Sequence, residues 1–341
     1  MLEIDGSSLE GGGQILRTSL ALSCILGKPA HIANIRAGRE KPGLKAQHLA
    51  GILALQKICN ARVNGAAIGS TEVSFEPGAI SGGEFAFDVG TAGAISLVLQ
   101  SIVPVLLFAS KPSHIAITGG THVDHSPTID YTQKVLLPAL AEFGARTSLE
   151  IGNYGFYPKG GGKVVLKIEP IAGGKLKAAR FDGTGTNMAN APIRGVSIAS
   201  NLPQTIADRQ ANSAGEILGS CDVPAISVKT SCPGTAITLW KGFLGASSLG
   251  KIGKSAEKVG EEAATALKQE IDAGACVDVH LADQLMIFAA LAHGESKIRT
   301  SEISSHAKTN ASVIGQFCNA GISLDENEKV IMLRGIDFSK K

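Results

Sequence analysis

Apolar residues recur at helical spacing along residues 13–26, 44–59, 93–108 and 128–143, which predicts four helices in the first half of the chain. The first and third are led by glycine, and each is followed by a short strand-like stretch. After the first comes Lys28-Pro29-Ala30-His31-Ile32-Ala33, and after the third Lys111-Pro112-Ser113-His114-Ile115-Ala116. This near-copy marks an internal repeat. Further strand-like segments at 63–75 and 163–168 complete a unit of two helices and roughly four strands. A third copy is expected near the end, with a helix at 281–291, a strand at 297–300 and a helix at 305–317.

The stretch between the second and third copies has a different character. It predicts a strand at 194–200, a helix at 203–218 led by Pro203, strands at 223–230 and 235–243, and a charged amphipathic helix at 254–271. The expected fold is therefore α/β, of the α+β kind. A large repeat domain of residues 1–179 and 277–341 is expected to carry a small inserted α/β domain of residues 180–276.

Composition narrows the function. The chain has 341 residues, 44% of them hydrophobic, enough for a substantial core. Its net charge of +2 means that any nucleic-acid contact must be local. Aromatics at 4% argue against a stacking platform for long single strands. The six cysteines form no Cys-x-x-Cys pair, so a zinc site is not expected, and their scatter suits a reduced protein. Glu3 and Asp5 interrupt any signal peptide, and the apolar run 97–109 is too short to span a bilayer. The expectation is a cytoplasmic protein without a membrane partner; a homo-oligomer is compatible with the sequence.

Three segments carry candidate chemistry. Gly11-Gly12-Gly13 opens the first helix, where free N–H groups and the helix dipole favour an anion, and Arg17 lies one turn in. Arg36 and Arg39 follow a short strand, with Lys41 and Lys45 close by; guanidinium groups grip phosphate oxygens bidentately. The bland reading of both segments is a turn and a solvated basic loop. Loop arginines seldom support a core, so replacing Arg36 or Arg39 is expected to cost activity and not stability. The third segment holds His306, behind Ser301, Ser304 and Ser305 at a helix start. That position keeps an imidazole neutral and nucleophilic, although a lone histidine is more often structural.

Other patterns are weaker. His122, Asp124 and His125 suggest a metal loop but lack a third strong ligand at suitable spacing. Residues 245–251 have P-loop glycine–lysine spacing, yet Ile252 stands where the metal-binding hydroxyl belongs. Asp283-Gln284 reads as a helix-start pair that either caps the helix or holds a base or ribose.

The chain resembles the RNA 3′-terminal phosphate cyclases over essentially its full length. The matching residues are Asp5-Gly6 with Glu10 to Arg17, Arg36-Ala37-Gly38-Arg39, Pro42-Gly43-Leu44 and Gln47-His48-Leu49. Leu97 to Gln100, Gly119-Gly120-Thr121, Gly155-Phe156-Tyr157-Pro158 before Gly160-Gly161-Gly162, and Leu281 to Leu285 also match.

The resemblance implies β-α-β-α-β-β repeats with one inserted α/β domain. It implies a ligase-type reaction using ATP and a divalent cation, Mg or Mn, on RNA bearing a 3′-phosphate. His306 would become adenylylated and pass AMP to the 3′-phosphate, and the 2′-hydroxyl would then close a 2′,3′-cyclic phosphate. By the same resemblance Arg17, Arg36, Arg39 and Gln47 would hold phosphates. Gln100, His280, Leu281, Ala282, Asp283 and Gln284 would bind the nucleotide, and Glu10 would hold the cation. His280 stands where a tyrosine is common in the family. No role is carried onto His122 or His125.

Two alternatives remain at this point. A cyclase-like ribosome-assembly factor lacks the histidine, and His306 argues against it. An enolpyruvyl transferase has a similar repeat and glycine-rich opening, but the first 27 residues contain no lysine, which those enzymes usually carry there.

Overall fold

The structure is a computed structural model and describes residues 1–90, 92–184 and 190–340. In the first sheet β1 (Leu2–Asp5) runs through α1 (Gly13–Leu26) into the parallel β2 (Ala30–Ala33). Then α2 (Ala46–Cys59) leads to β3 (Arg62–Asn64) and β4 (Val73–Glu76), giving the order β1-β2-β4-β3. The second sheet begins with β5 (Glu84–Asp88), α3 (Ile95–Leu106) and the parallel β6 (Ser113–Gly119). Its second helical stretch is α4 (Ile129–Tyr131), a π-helical turn (Thr132–Leu136) and α5 (Leu137–Glu142). Strands β7 (Arg146–Asn153) and β8 (Gly162–Glu169) complete the order β5-β6-β8-β7.

After β9 (Arg180–Phe181) the chain builds a separate sheet from β10 (Ile193–Ser200), β11 (Cys221–Asp222), β12 (Ala225–Val228), β13 (Gly234–Lys241) and β14 (Leu244–Leu249). Helices α6 (Gln204–Leu218) and α7 (Ala256–Asp272) pack together against it. Finally α8 (Val279–Leu291), β15 (Glu295–Arg299), α9 (Ser305–Phe317), β16 (Gly321–Asp325) and β17 (Val330–Arg334) complete a sheet of order β9-β15-β17-β16. In each four-stranded sheet the first two strands are parallel and the other pairs antiparallel. The content is mixed α/β, as expected.

Local chemistry explains the boundaries. Helix α1 stops at Gly27, whose left-handed φ of 65° lets its N–H close onto Ser23 O. Helix α3 is apolar on nearly every side because helices α1, α2 and α8 surround it. Helix α7 is polar outside and buries Val259, Ala263 and Leu267 against Ile237 and Leu239. One large apolar cluster running from Ile4 to Leu333 joins the three four-stranded layers through their helices.

Four features differ from the sequence pattern. The single strand-like run 63–75 is two antiparallel strands, β3 and β4, about a turn where Gly65 and Gly69 take φ near 80°. Residues 245–249, which mimic a phosphate loop, lie in β14 and pair with β13. Asp283 does not start its helix: α8 begins four residues earlier and is capped by Asp278. Strand β9 pairs with β15, so residues 180–181 belong to the third sheet, and 185–189 of the stretch read as an insert lie outside the described residues.

Candidate active site

The starts of α1 and α9 converge. Glu10 precedes Gly11, which takes φ 58°, and Gly12 caps α1 in extended geometry without a side-chain bond. A side chain on Gly12 would collide with the Glu10 carboxylate. The bare backbone therefore lets Glu10 fold over the helix start. Its Oε1 pairs with Arg39, and its Oε2 faces His306 Nδ1 at 3.7 Å. Neither Oε2 nor Nδ1 has a hydrogen bond, and both atoms are buried. The backbone N–H of Glu10 leans on Thr309 Oγ1 of α9 at 3.4 Å.

His306 is the second residue of α9, which Ser304 caps by accepting from Ala307 N–H. Burial lowers the imidazole's pKa, and the neighbouring Arg17, His280 and Arg39 lower it further. The ring is thus neutral near pH 7 and turns its Nδ1 inward to Glu10.

Arg17 is drawn down to about 10 by burial and remains a cation. Opposite it burial pushes Asp283 up to about 8; Arg17 pulls it back and Asp278 pushes it further up. Burial thus favours the protonated form of the Asp283 carboxyl. Gln14 Nε2 donates to Asp283 Oδ1 at 3.2 Å, and Asn310 Nδ2 to the Asp283 carbonyl at 2.8 Å. Thr18 Oγ1 donates to Asn310 Oδ1 at 2.8 Å, tying α1, α8 and α9 at one point. Gln100 Nε2 reaches Gln284 Oε1 at 2.9 Å, and Gln284 Nε2 donates to His280 O at 2.7 Å. A cavity here is lined by Arg17, Gln100, Asp283 and Gln284 over an apolar floor that includes Val103 and Phe288. His280 is exposed beside it, whereas Leu281 and Ala282 are buried and shape the wall from behind.

The basic loop divides. Arg39 is half exposed and reaches the site through Glu10. Arg36 is buried at 7% exposure, takes φ 57°, and donates Nη1 to Lys41 O and Gly43 O, both at 2.7 Å. The expectation that both arginines are dispensable for stability is therefore corrected for Arg36, because its guanidinium satisfies two carbonyls of its own loop. Gln47 sits half-buried in the first turn of α2.

His48 also belongs to this site. It accepts from Lys45 N–H at Nδ1 (3.1 Å), and its Nε2 presses on Gly13, where any side chain would collide. Burial, then Arg17, Arg36 and Lys45, lower its pKa to about 3. The unfolded chain protonates this histidine near 6.5 and the folded protein does not. Its contribution to stability is present above 6.5 and is lost as pH falls toward 3. Unfolding curves of wild type and His48→Asn should accordingly converge as pH falls through that window; a difference that stays constant with pH contradicts the assignment.

The loop histidines are elsewhere. His122 is buried with Nε2 3.0 Å from Asp130 Oδ2, while Asp124 pairs with Lys251. Among the described residues no group of three His, Cys, Asp or Glu side chains is placed to hold a metal ion. None of their helices is long and apolar enough to cross a membrane.

Comparison with known proteins shows the family. The family model described as RNA 3′-terminal phosphate cyclase matches residues 8–324. A curated RNA 3′-terminal phosphate cyclase of Archaeoglobus fulgidus is 46% identical over 335 residues, covering 97% of this chain and all of that protein. Its counterpart in Pyrobaculum neutrophilum is 45% identical over 349 residues, covering 99% of each. A solved structure, the enolpyruvyl transferase NikO from Streptomyces tendae, covers 98% of this chain and 48% of that one at 9% identity. Its TM-score of 0.43 is too low to bear on fold or activity. By the family match and this identity over whole chains, the protein belongs to the RNA 3′-terminal phosphate cyclase family.

Proposed function

We propose that this enzyme uses ATP to convert an RNA 3′-terminal phosphate into a 2′,3′-cyclic phosphate, with His306 as the group that carries AMP. The observation that supports this most is the neutral imidazole at the mouth of α9, facing Glu10 with Nδ1. With the proton on Nδ1, the lone pair of Nε2 is free to attack. Nε2 bonds to the α-phosphorus of ATP and pyrophosphate leaves. An oxygen of the RNA 3′-phosphate then attacks that phosphorus, which frees His306 and leaves an RNA–AMP anhydride. The 2′-hydroxyl attacks the terminal RNA phosphorus, loses its proton, and expels AMP.

The chemistry suits the substrate. A phosphate monoester has no usable leaving group until AMP is attached, and the neighbouring hydroxyl already stands within reach. Arg17, Arg39 and Gln47 would neutralise and orient phosphates, as would the N–H groups at the start of α1. For Arg36 only the N–H groups other than its loop-bound Nη1 are available. Gln100, Gln284 and Asp283 offer polar contacts to the nucleotide, with His280 stacking at the rim.

A divalent cation fits Glu10. Its Oε2 is buried without a hydrogen-bond partner. One carboxylate leaves the remaining positions of a Mg or Mn shell to phosphate oxygens and water. When bound, the cation would offset the negative charge of the phosphates. The proposed domains are the repeat domain, 1–179 and 277–341, and the insert 180–276, with residues 180–181 of β9 moved to the repeat side. A reduced cytoplasm suits six free cysteines and supplies both substrates.

The test is an RNA end with a 3′-phosphate and a 2′-deoxy sugar. It should accumulate as the adenylylated RNA, because the closing oxygen is gone. Turnover equal to that of the 2′-hydroxyl end would contradict the mechanism.

A further inference from the structure

One feature of the sequence, Gly155-Phe156-Tyr157-Pro158 followed by Lys159 and Gly160-Gly161-Gly162, takes no part in the nucleotide site. Its tip, Tyr157, is 76% exposed, and it is the one exposed residue among the Phe, Tyr and Trp of the described residues. An exposed phenol is ordinary on a loose loop. Here the loop is held on every side. Phe156 is buried and stacks on His122 at 5.3 Å and 29°. Gly160 N–H donates to Phe156 O at 2.7 Å, and Cys232 Sγ donates to the carbonyls of Phe156 (3.2 Å) and Tyr157 (3.5 Å). A side chain on Gly234 would strike the Phe156 ring, and one on Gly161 would strike Ser231. Behind Phe156, Asp130 faces His122 Nε2 at 3.0 Å and accepts from Tyr154 OH at 3.2 Å.

The backbone beneath the tip therefore has little freedom left to lose on binding, and it holds the Tyr157 ring out in solvent. Lys159 is exposed two residues on, with no carboxylate paired to it among the described residues. A ring that can stack on any base beside an ammonium that can meet the adjoining phosphate is the chemistry of single-stranded nucleic acid. The tip is also connected to the site. Gly155 O accepts from His122 N–H at 3.1 Å, and the loop beginning at His122 ends at Pro127, whose carbonyl accepts from Ser96 Oγ at 2.7 Å. Ser96 and Gln100 lie one turn apart on a single face of α3, and Gln100 bonds Gln284 at 2.9 Å.

We propose that Tyr157 and Lys159 form a subsite for the RNA strand upstream of its 3′ end, the ring stacking on a base and the lysine meeting a backbone phosphate. This rests on the function proposed above. The subsite is blind to base identity, which suits an enzyme that acts on ends.

The experiment compares 3′-phosphorylated RNAs of increasing length, from a nucleoside 3′-phosphate to an octamer, on wild type, Tyr157→Ala, Tyr157→Phe and Lys159→Ala. Tyr157→Ala should raise KM for the octamer by about five- to a hundredfold, the usual worth of one stacked base, and leave the nucleoside 3′-phosphate unaffected. Tyr157→Phe should behave as wild type. Lys159→Ala should flatten the dependence of octamer binding on salt by roughly one counterion. Labelling of His306 by ATP without RNA should be the same in all four proteins. Equal octamer KM for wild type and Tyr157→Ala overturns the subsite, as does slower labelling without RNA, which would make the tip part of the ATP site. Wild type that fails to label overturns the proposed function instead, and equilibrium binding of the octamer to Tyr157→Ala then decides the subsite by itself.

Discussion

His306→Ala should lose both labelling by α-labelled ATP and cyclisation of RNA ends. Removal of a covalent nucleophile costs on the order of 10⁶-fold where such groups have been deleted, so the activity left should be below detection. Stability should not follow. The side chain is 40% exposed and makes no hydrogen bond, and substitutions of that kind stay within about 0.5 kcal/mol. The pH dependence of labelling carries the same assignment. Because burial and nearby cations lower the histidine's pKa, the rate should stay flat through neutrality and fall only below 6.5. A variant that still labels, or one that unfolds, contradicts the reading.

The second large effect separates two arginines three residues apart. Arg36→Ala should destabilise the protein by about 3–6 kcal/mol, since hydrogen bonds from a charged group are worth roughly 1.5–3 kcal/mol each and two carbonyls lose theirs. Arg39→Ala should leave unfolding unchanged, because its side chain is 47% exposed. It should instead lower kcat/KM by about ten- to a hundredfold through one lost charged contact. Arg39→Lys should recover part of this, as an ammonium cannot make the bidentate contact. Denaturant curves alongside turnover distinguish the two. If both variants lose activity and neither loses stability, Arg36 is a phosphate ligand and its loop bonds are incidental.

Much of this fold could be read from the chain. Helices α1 and α9 match the helical spacing at both ends, because Gly12 and Ser304 are clear starts and Gly27 a clear stop. Strand β14 escaped because its glycines and serines copy a phosphate loop, and only its pairing with β13 makes it a strand. The start of α8 was misplaced because its cap, Asp278, is a buried acid that also takes Tyr131 OH and Gly245 N–H. Burial raises that carboxyl to about 6, a cost visible only in three dimensions.

The site was legible in its residues and not in its pairings. Arg39 and His306 stand out by chemistry and Glu10 only through the family resemblance, but the carboxylate that joins them is recruited across 29 and 296 positions of sequence. Arg36 looks the same as Arg39 in sequence, and its left-handed backbone, which helps fold the guanidinium back onto its own loop, has no signature there. His48 belongs to the matching motif, but its role is hidden in sequence because it comes from Gly13 in another helix. Distance along the chain hid these contacts, whereas periodicity exposed the helices that create them.

The most direct measurement is to incubate the purified protein with α-labelled ATP and a divalent cation, map the adduct by mass spectrometry, and then add RNA with a 3′-phosphate. The account predicts one AMP per chain on the peptide that contains His306, discharged when the RNA is added as cyclic ends form. AMP on a different residue, or cyclic ends formed while His306 never carries AMP, would contradict it.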